Sequence, residues 1–393
     1  MSSWRGQDAI QYLSKLPGVE IVENCDLFVP GSYDAAFAGC VGVFHVAAVL
    51  GNSTNNQPNA SGDGGRDTYD GGITGTQNVI DAINKSGSVR RLIYTSSMAA
   101  VQNGTKGAGH EWTETDWASD GHDTTSKQWQ SNWYGRSKVD TEHLVNDAAA
   151  ASGGTWDVIT MNPAMITGPI LFKAQNGQWI EQIGRLAGGL APNWPSQNDM
   201  YYDLIDVRDL VNAHRLAIES PIDHINSHGG PRYVMHGSGG YNHGHNIRLG
   251  TELVGVIRSH FPGILVRAPK MHTSEGKPFD LPPPSQIADS TKAKELLGVT
   301  LRPAEDGPRL CRVSVRARAR GSAAGGEALT RKTAARHDSF SVSPSHLAIA
   351  RVARGRPHSR RQGHRSRVQK HSLPPLLISS QPGLSRGLAE RNQ

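Results

Sequence analysis

The sequence predicts an α/β protein built on a doubly wound parallel sheet, and three observations carry the prediction. Short apolar runs of strand length recur along the chain, with longer helical stretches between them. One of those runs ends in hydroxyl residues, Tyr94-Thr95-Ser96-Ser97, at the carboxyl end where open parallel sheets gather their ligands. The next helical stretch carries a Tyr and a Lys four residues apart, in Tyr134-Gly135-Arg136-Ser137-Lys138.

The elements follow in order. Residues 1–18 read as helical, and Val19 to Val22 as a strand. Residues 41–48, Val-Gly-Val-Phe-His-Val-Ala-Ala, read as a buried strand, 75–86 as a helix, and 89–97 as a strand ending at Ser97. Residues 134–151 form the second long helix, and 157–169 a strand running into a loop. Leu210 to Ile218 is an apolar helix whose start is flanked by Asp206 and Asp209, a role that helix capping explains. Tyr233-Val234-Met235 is strand-like. Strand and helix in alternation build parallel sheets with helices on both faces.

Residues four apart share a helix face, so Tyr134 and Lys138 are neighbours. A phenol titrates near ~10, and a nearby ammonium lowers that value. The pair suits a tuned general acid. The plain alternative is a solvated helix face.

At these residues the chain resembles the extended short-chain dehydrogenase/reductases, within the NAD-dependent epimerase/dehydratase superfamily. The resemblance points to the group of dihydroflavonol reductases, cinnamoyl-CoA reductases and related aldehyde or ketone reductases. It rests on Asp26-Leu27 with Pro30-Gly31-Ser32-Tyr33-Asp34, on Gly39 to Ala47, on Gly75-Thr76-Gln77-Asn78-Val79 and on Tyr94 to Ser97. It continues through Tyr134 to Lys138, Asn162-Pro163 with Gly168-Pro169, Asp206 to Leu210, and Asp289 to Ala293 with Leu296-Leu297-Gly298. It covers roughly residues 8–300 and implies a Rossmann-type sheet using NADP or NAD. It also implies roles. Tyr134 protonates the substrate carbonyl oxygen, Ser97 hydrogen-bonds it, and Lys138 holds the nicotinamide ribose and depresses the Tyr134 pKa. Asp26 and Leu27 flank the adenine, Ala47 and Thr95 line the cofactor channel, and Pro163 lies near the nicotinamide.

The sequence departs from that pattern at both ends. Residues 1–18 correspond to the helix before the family's third strand, so the first strand, the phosphate-binding Gly-rich turn, the first helix and the second strand are not found. Gly62-Asp63-Gly64-Gly65 reads as a loop, and Gly237-Ser238-Gly239-Gly240 opens no clear helix. The missing first strand is central in the family, so its neighbours are expected to lose a ladder partner.

At the other end, residues 309–393 hold 18 Lys and Arg, 16 of them Arg, against 3 acidic residues. The rest of the chain carries 23 basic and 32 acidic residues, so the net +6 joins two unlike parts. With Phe340 as its only aromatic, the tail cannot bury enough apolar surface to offset its ordering entropy. Three readings fit it: translation out of frame or through a retained intron, a disordered extension, or a nucleic-acid-binding tail. Its Arg runs would attract phosphates, but no aromatics are interleaved for base stacking, which counts against single-strand binding.

The expected organisation is a partial cofactor-binding domain over 1–165, a substrate lobe over 166–303 and the Arg-rich tail over 304–393. Cys25, Cys40 and Cys311 show no pairing or metal spacing, which fits a reducing, cytoplasmic setting. No apolar run is long enough to span a bilayer, and the sequons at Asn52, Asn59 and Asn103 are expected to be unmodified. His228, His236, His243 and His245 have spacing a zinc ion would accept, but no Cys or acidic residue accompanies them. Trp112, Trp117 and Trp129 in the polar stretch 102–132 either wall a substrate pocket or anchor a surface loop. Ile170, Leu171, Phe172, Trp179, Ile183 and Trp194 suggest an apolar pocket for a small-molecule ketone or aldehyde. The two long helices suit pairing in a homodimer. The rival readings are an inactive remnant of the family that keeps Ser97, Tyr134 and Lys138 without holding cofactor, and a nucleic-acid-associating protein acting through its tail.

Overall fold

The alternating apolar runs become strands whose faces are covered on both sides. The structure, a computed structural model, describes residues 10–48, 65–103, 105–106, 110–169, 171, 201–221, 230–237, 246–248, 259, 287–302 and 347–352. All of these lie in the unit Met1–Ala353.

In chain order the elements are β1 (Val19–Cys25), α1 (Asp34–Phe37), β2 (Gly42–His45), α2 (Arg66–Ser86) and β3 (Arg91–Thr95). Then come β4 (Glu111–Trp112), α3 (Lys127–Gln130), α4 (Trp133–Ala151), β5 (Asp157–Pro163), β6 (Met165–Thr167) and β7 (Tyr201–Asp206). The last are α5 (Val207–Glu219), β8 (Arg232–Met235), β9 (Asn246–Arg248), β10 (Ile287–Ala288), α6 (Thr291–Leu297) and β11 (Leu347–Val352).

The main sheet has the order β2-β3-β5-β8, and every pairing in it is parallel. One face is closed by a core of Val43, Val79, Ile80, Ile83, Leu92, Val145 and Val158, contributed by the strands and by α2 and α4. The other is closed by Ile93, Ile159, Met161, Leu210, Ala213, Ala293 and Leu297, which brings in α5 and α6. This is the expected doubly wound arrangement. Asp206 caps α5, accepting the Arg208 N–H at 2.8 Å. Capping does not account for Asp209: it lies inside the first turn, buried, and its carboxylate is taken by Arg302.

Three expectations are corrected. The first long helix starts at Arg66, nine residues before position 75. Gly71 and Gly72 disfavour helix by propensity, but packing overrides them. A Cβ on Gly72 would fall 2.2 Å from Ser137 Oγ, so the glycine lets α2 and α4 approach closely. Where 157–169 is expected to run from strand into loop, the chain breaks at Ala164 and continues as a second strand, β6, which leaves the main sheet to pair with β7. Nor is the Arg-rich tail wholly without structure, because β11 pairs antiparallel with β1, Val19 opposite Val352. Leu-Ala-Ile-Ala-Arg-Val has the β-branched content of a strand, and β1 offers a free ladder edge. The pairing shifts register between Val22 and Cys25, where Asn24 takes a left-handed φ of 64°.

Among the described residues, β1 is not paired with the main sheet, and no strand pairs with the edge of β2 opposite β3. Residues 1–9 of the expected first helix, Gly62 to Gly64, Ser238 to Gly240, His228, His243, His245, Ile170, Phe172, Trp179, Ile183 and Trp194 lie outside the described residues. Leu171 is described and exposed. Among the described residues, no helix is long and apolar enough to cross a membrane.

Candidate active site

β3 ends at Thr95, and two residues later Ser97 caps a short 3-10 turn, its Oγ accepting the Ala99 N–H at 3.1 Å. α4 begins at Trp133, where the Asn132 side chain accepts the Gly135 N–H at 3.1 Å. These two termini bring Ser97 near enough to Tyr134 for its hydroxyl to bear on the ionisation of the phenol. Lys138 lies one turn further along α4, buried, its Nζ 5.9 Å from the Tyr134 ring centroid and 5.6 Å from that of Tyr94.

Tyr134 and Lys138 open onto a small cleft lined also by Leu27, His45, Ala47 and the glycines of α2. Burial pushes the Tyr134 phenol above its ordinary value of 10.0, and the Ser97 hydroxyl opposes that. The Lys138 ammonium, beside the phenol ring, donates to the Thr95 carbonyl at 3.1 Å. Burial lowers Lys138 itself to about 8, against the pull of the Glu142 carboxylate. His45, wholly buried beside Lys138, is lowered to about 3 and is neutral at pH 7.

The remaining sequence-nominated residues divide. Leu27 and Ala47 line the cleft. Asp26 spends its carboxylate on its own loop, accepting the Phe28 N–H at 2.9 Å, while the Ser32 hydroxyl donates to its carbonyl at 2.7 Å. Thr95 contributes its carbonyl but not its side chain. Its Oγ1 hydrogen-bonds His214 Nε2 at 2.8 Å beneath α5. Strand alternation explains this, since Tyr94 and Ser96 take the α4 face and Thr95 the other. Pro163 is buried at the end of β5, opposite Met235, and is not among the described residues lining the cleft.

Sequence reasoning missed a polar cluster directly behind the site. Glu142 is fully buried and accepts from Ser96 Oγ at 2.9 Å, from Asn162 Nδ2 at 3.0 Å and from Arg232 Nε. A signal was present: an acidic residue eight positions after Tyr134 stands on the same helix face, pointing inward. The Trp stretch joins here, because the Arg232 guanidinium lies 3.7 Å from the Trp117 ring centroid.

An ammonium has three donors. Lys138 uses one on Thr95, so its donor set fits the two hydroxyls of a nicotinamide ribose. The rest of the cleft is lined by small residues, Ala47, Ala48, Gly71, Gly72 and Gly75, and by the hydroxyl residues Thr68, Thr76, Ser137 and Thr141.

Comparison with known proteins agrees with this arrangement. Residues 4–228 match the sequence profile of the NAD dependent epimerase/dehydratase family. Cinnamoyl-CoA reductase CAD2 of Medicago truncatula is 30% identical over 217 residues, 54% of this chain and 61% of that protein. Dihydroflavonol 4-reductase of Arabidopsis thaliana is 28% identical over 214 residues, 52% of this chain and 51% of that protein. The chain thus spans about half to three fifths of these relatives' length. Among solved structures, yeast methylglyoxal/isovaleraldehyde reductase Gre2 complexed with NADPH aligns with a TM-score of 0.56 at 18% identity, over 75% of this chain and 83% of that one. Vestitone reductase from alfalfa, Medicago sativa, aligns with a TM-score of 0.52 at 21% identity, over 75% and 82%. At such identities the structural likeness establishes the fold alone.

Proposed function

The chain belongs to the NAD dependent epimerase/dehydratase family, and from that premise we propose that it is an NAD(P)H-dependent reductase of small apolar ketones or aldehydes. The observation that carries the reading is that Tyr134 and the buried Lys138 line one cleft, with the Ser97 hydroxyl bearing on the phenol from the end of β3. NADPH, when bound, supplies the hydride. The chain's own residues do the rest. Reducing a carbonyl builds negative charge on its oxygen, and preplaced donors stabilise that charge. Tyr134 holds the proton at its phenol oxygen until that charge develops, and burial keeps it there at neutral pH. Ser97, held by the Ala99 N–H, orients the same oxygen. Lys138, tied to Thr95, holds the ribose and keeps positive charge behind the phenol.

A second reading has its own support. With β1 outside the main sheet and the outer edge of β2 unpaired among the described residues, the chain keeps the proton-donor residues but has no cofactor affinity. NADPH fluorescence titration separates the two readings, followed by NADPH oxidation with apolar aldehydes. The reductase reading expects saturable binding, and turnover reduced by ~10²–10⁴ in Tyr134→Phe. Unchanged turnover in that variant would remove Tyr134 from the chemistry. Absence of binding would favour the second reading.

A further inference from the structure

Glu142 lies one turn beyond Lys138 and two beyond Tyr134 on α4, so the three side chains share a face. An ionised carboxylate tolerates full burial only when its lone pairs are filled and its charge is paired. Here both conditions hold. Arg232 Nε donates to Oε1, while Ser96 Oγ and Asn162 Nδ2 donate to Oε2 at 2.9 and 3.0 Å. Asn162 Nδ2 also reaches the Ser97 carbonyl at 3.3 Å. One carboxylate therefore holds the chain at two adjacent residues where the Ser97 turn begins: the Ser96 side chain directly, and the Ser97 backbone through Asn162. Arg232 is fixed in turn by the Glu114 and Asp116 carbonyls, each at 2.7 Å.

We infer that Glu142 is a positioning residue for the proton-donor pair, fixing the turn that carries Ser97 and setting a carboxyl group one helical turn from Lys138. The inference rests on the reductase reading of Ser97, Tyr134 and Lys138. The groups facing Lys138 are few. Tyr134 and Glu142 come from α4, Tyr94 from β3, and His45, neutral, from β2. The residues α2 sends to the cleft, Thr68, Gly71, Gly72, Gly75 and Thr76, carry no charge. Burial works against the ammonium, and the Glu142 carboxylate is the group that opposes it.

The test is a direct titration of Lys138 by NMR. The full chain, free of cofactor, carries lysine isotopically labelled at Cε, and the Lys138 signal is identified by its loss in Lys138→Met. In Glu142→Gln the Lys138 midpoint should fall by about one pH unit or more, since losing the carboxylate and unmasking Arg232 act in the same direction. Glu142→Asp keeps the charge and should stay near the wild-type midpoint. If Glu142→Gln does not fold, the pair Glu142→Gln with Arg232→Gln also removes the stranded guanidinium and should show a smaller fall in the same direction. An unchanged midpoint in a folded charge-removing variant overturns the inference. Equal falls in the Asp and Gln variants also overturn it, because shape rather than charge would then govern the lysine. The titration reads the lysine without turnover, so an inactive wild type would sink the reductase reading and leave this result standing.

Discussion

The two ends of the main sheet are built differently. Around β3, β5 and β8 almost every group is committed: all five residues of β3 are buried, and the side chains of Glu142 and Arg232 between them hold six hydrogen bonds. Around β1 and β2 commitment is slight. Cys25 alone is buried in β1, Phe44 on β2 is 48% exposed, and Val41 and Val46 beside it are more so. The proton-donor geometry thus belongs to the stiff end. The cleft wall made by Leu27, His45 and Ala47 belongs to the loose one. Stability and proton chemistry share the same elements, whereas cofactor retention leans on elements held mainly from one side.

The largest way to break this contrast is to unpair the buried charge. Arg232→Ala leaves the enclosed Glu142 carboxyl group without its partner, with an expected loss of about 3–5 kcal/mol in urea unfolding. A loss under about 1 kcal/mol would mean that water or another cation reaches Glu142, and that the end containing β8 is not stiff. Next comes a matched pair of truncations. Ile93→Ala in β3 opens a cavity in a closed core and should cost about 2–5 kcal/mol. Ile21→Ala, on the half-exposed β1, should cost under about 1 kcal/mol. Similar costs at both positions would erase the distinction.

A pH measurement sharpens the contrast at the cleft. Folding lowers His45 from 6.5 to about 3. Below pH 6.5 the unfolded chain takes up a proton that the folded chain refuses. The stability associated with neutral His45 is therefore complete above 6.5 and is lost progressively as pH falls toward 3. Unfolding free energy measured between pH 7 and 5 should decline in the wild type, and less steeply in His45→Gln. Identical slopes would mean that His45 is already hydrated, and that the loose end admits water to the base of the cleft.

The contrast also explains what the sequence revealed. Periodicity located β2, β3, β5 and α4, because buried parallel strands and a long helix write themselves as local patterns. The Tyr134–Lys138 spacing is a local pattern too, and Ser97 follows from the strand end. What stayed hidden was non-local. Arg232 meets Glu142 across 90 residues, and no spacing rule joins them. The helix start at Arg66 was hidden because Gly71 and Gly72 look like breakers until α4 is packed against them. The Thr95 side chain was assigned to the cleft although alternation from Tyr94 sends it to the opposite face. β11 was missed because composition over 85 residues outweighed a six-residue run.

The smallest expected effect on stability lies at the edge of β2, and it is the most specific to the loose end. Phe44 faces the α5 side, its ring centroid 6.2 Å from that of His214, but nearly half of it stays exposed. Val211 on α5 is exposed as well. An apolar edge strand with unpaired N–H and C=O groups is a template for pairing with another chain, and lysine is a common natural block. Phe44→Lys should shift unfolding free energy by no more than about 0.5 kcal/mol, yet slow the growth of light scattering at equal protein concentration. Those two readouts move together only if Phe44 is part of a closed core. A large stability loss would thus relocate β2 to the stiff end. Unchanged scattering with unchanged stability would mean that the edge is not where chains meet. The predicted split, solubility gained without stability lost, is what an uncovered edge beside a fully committed one requires.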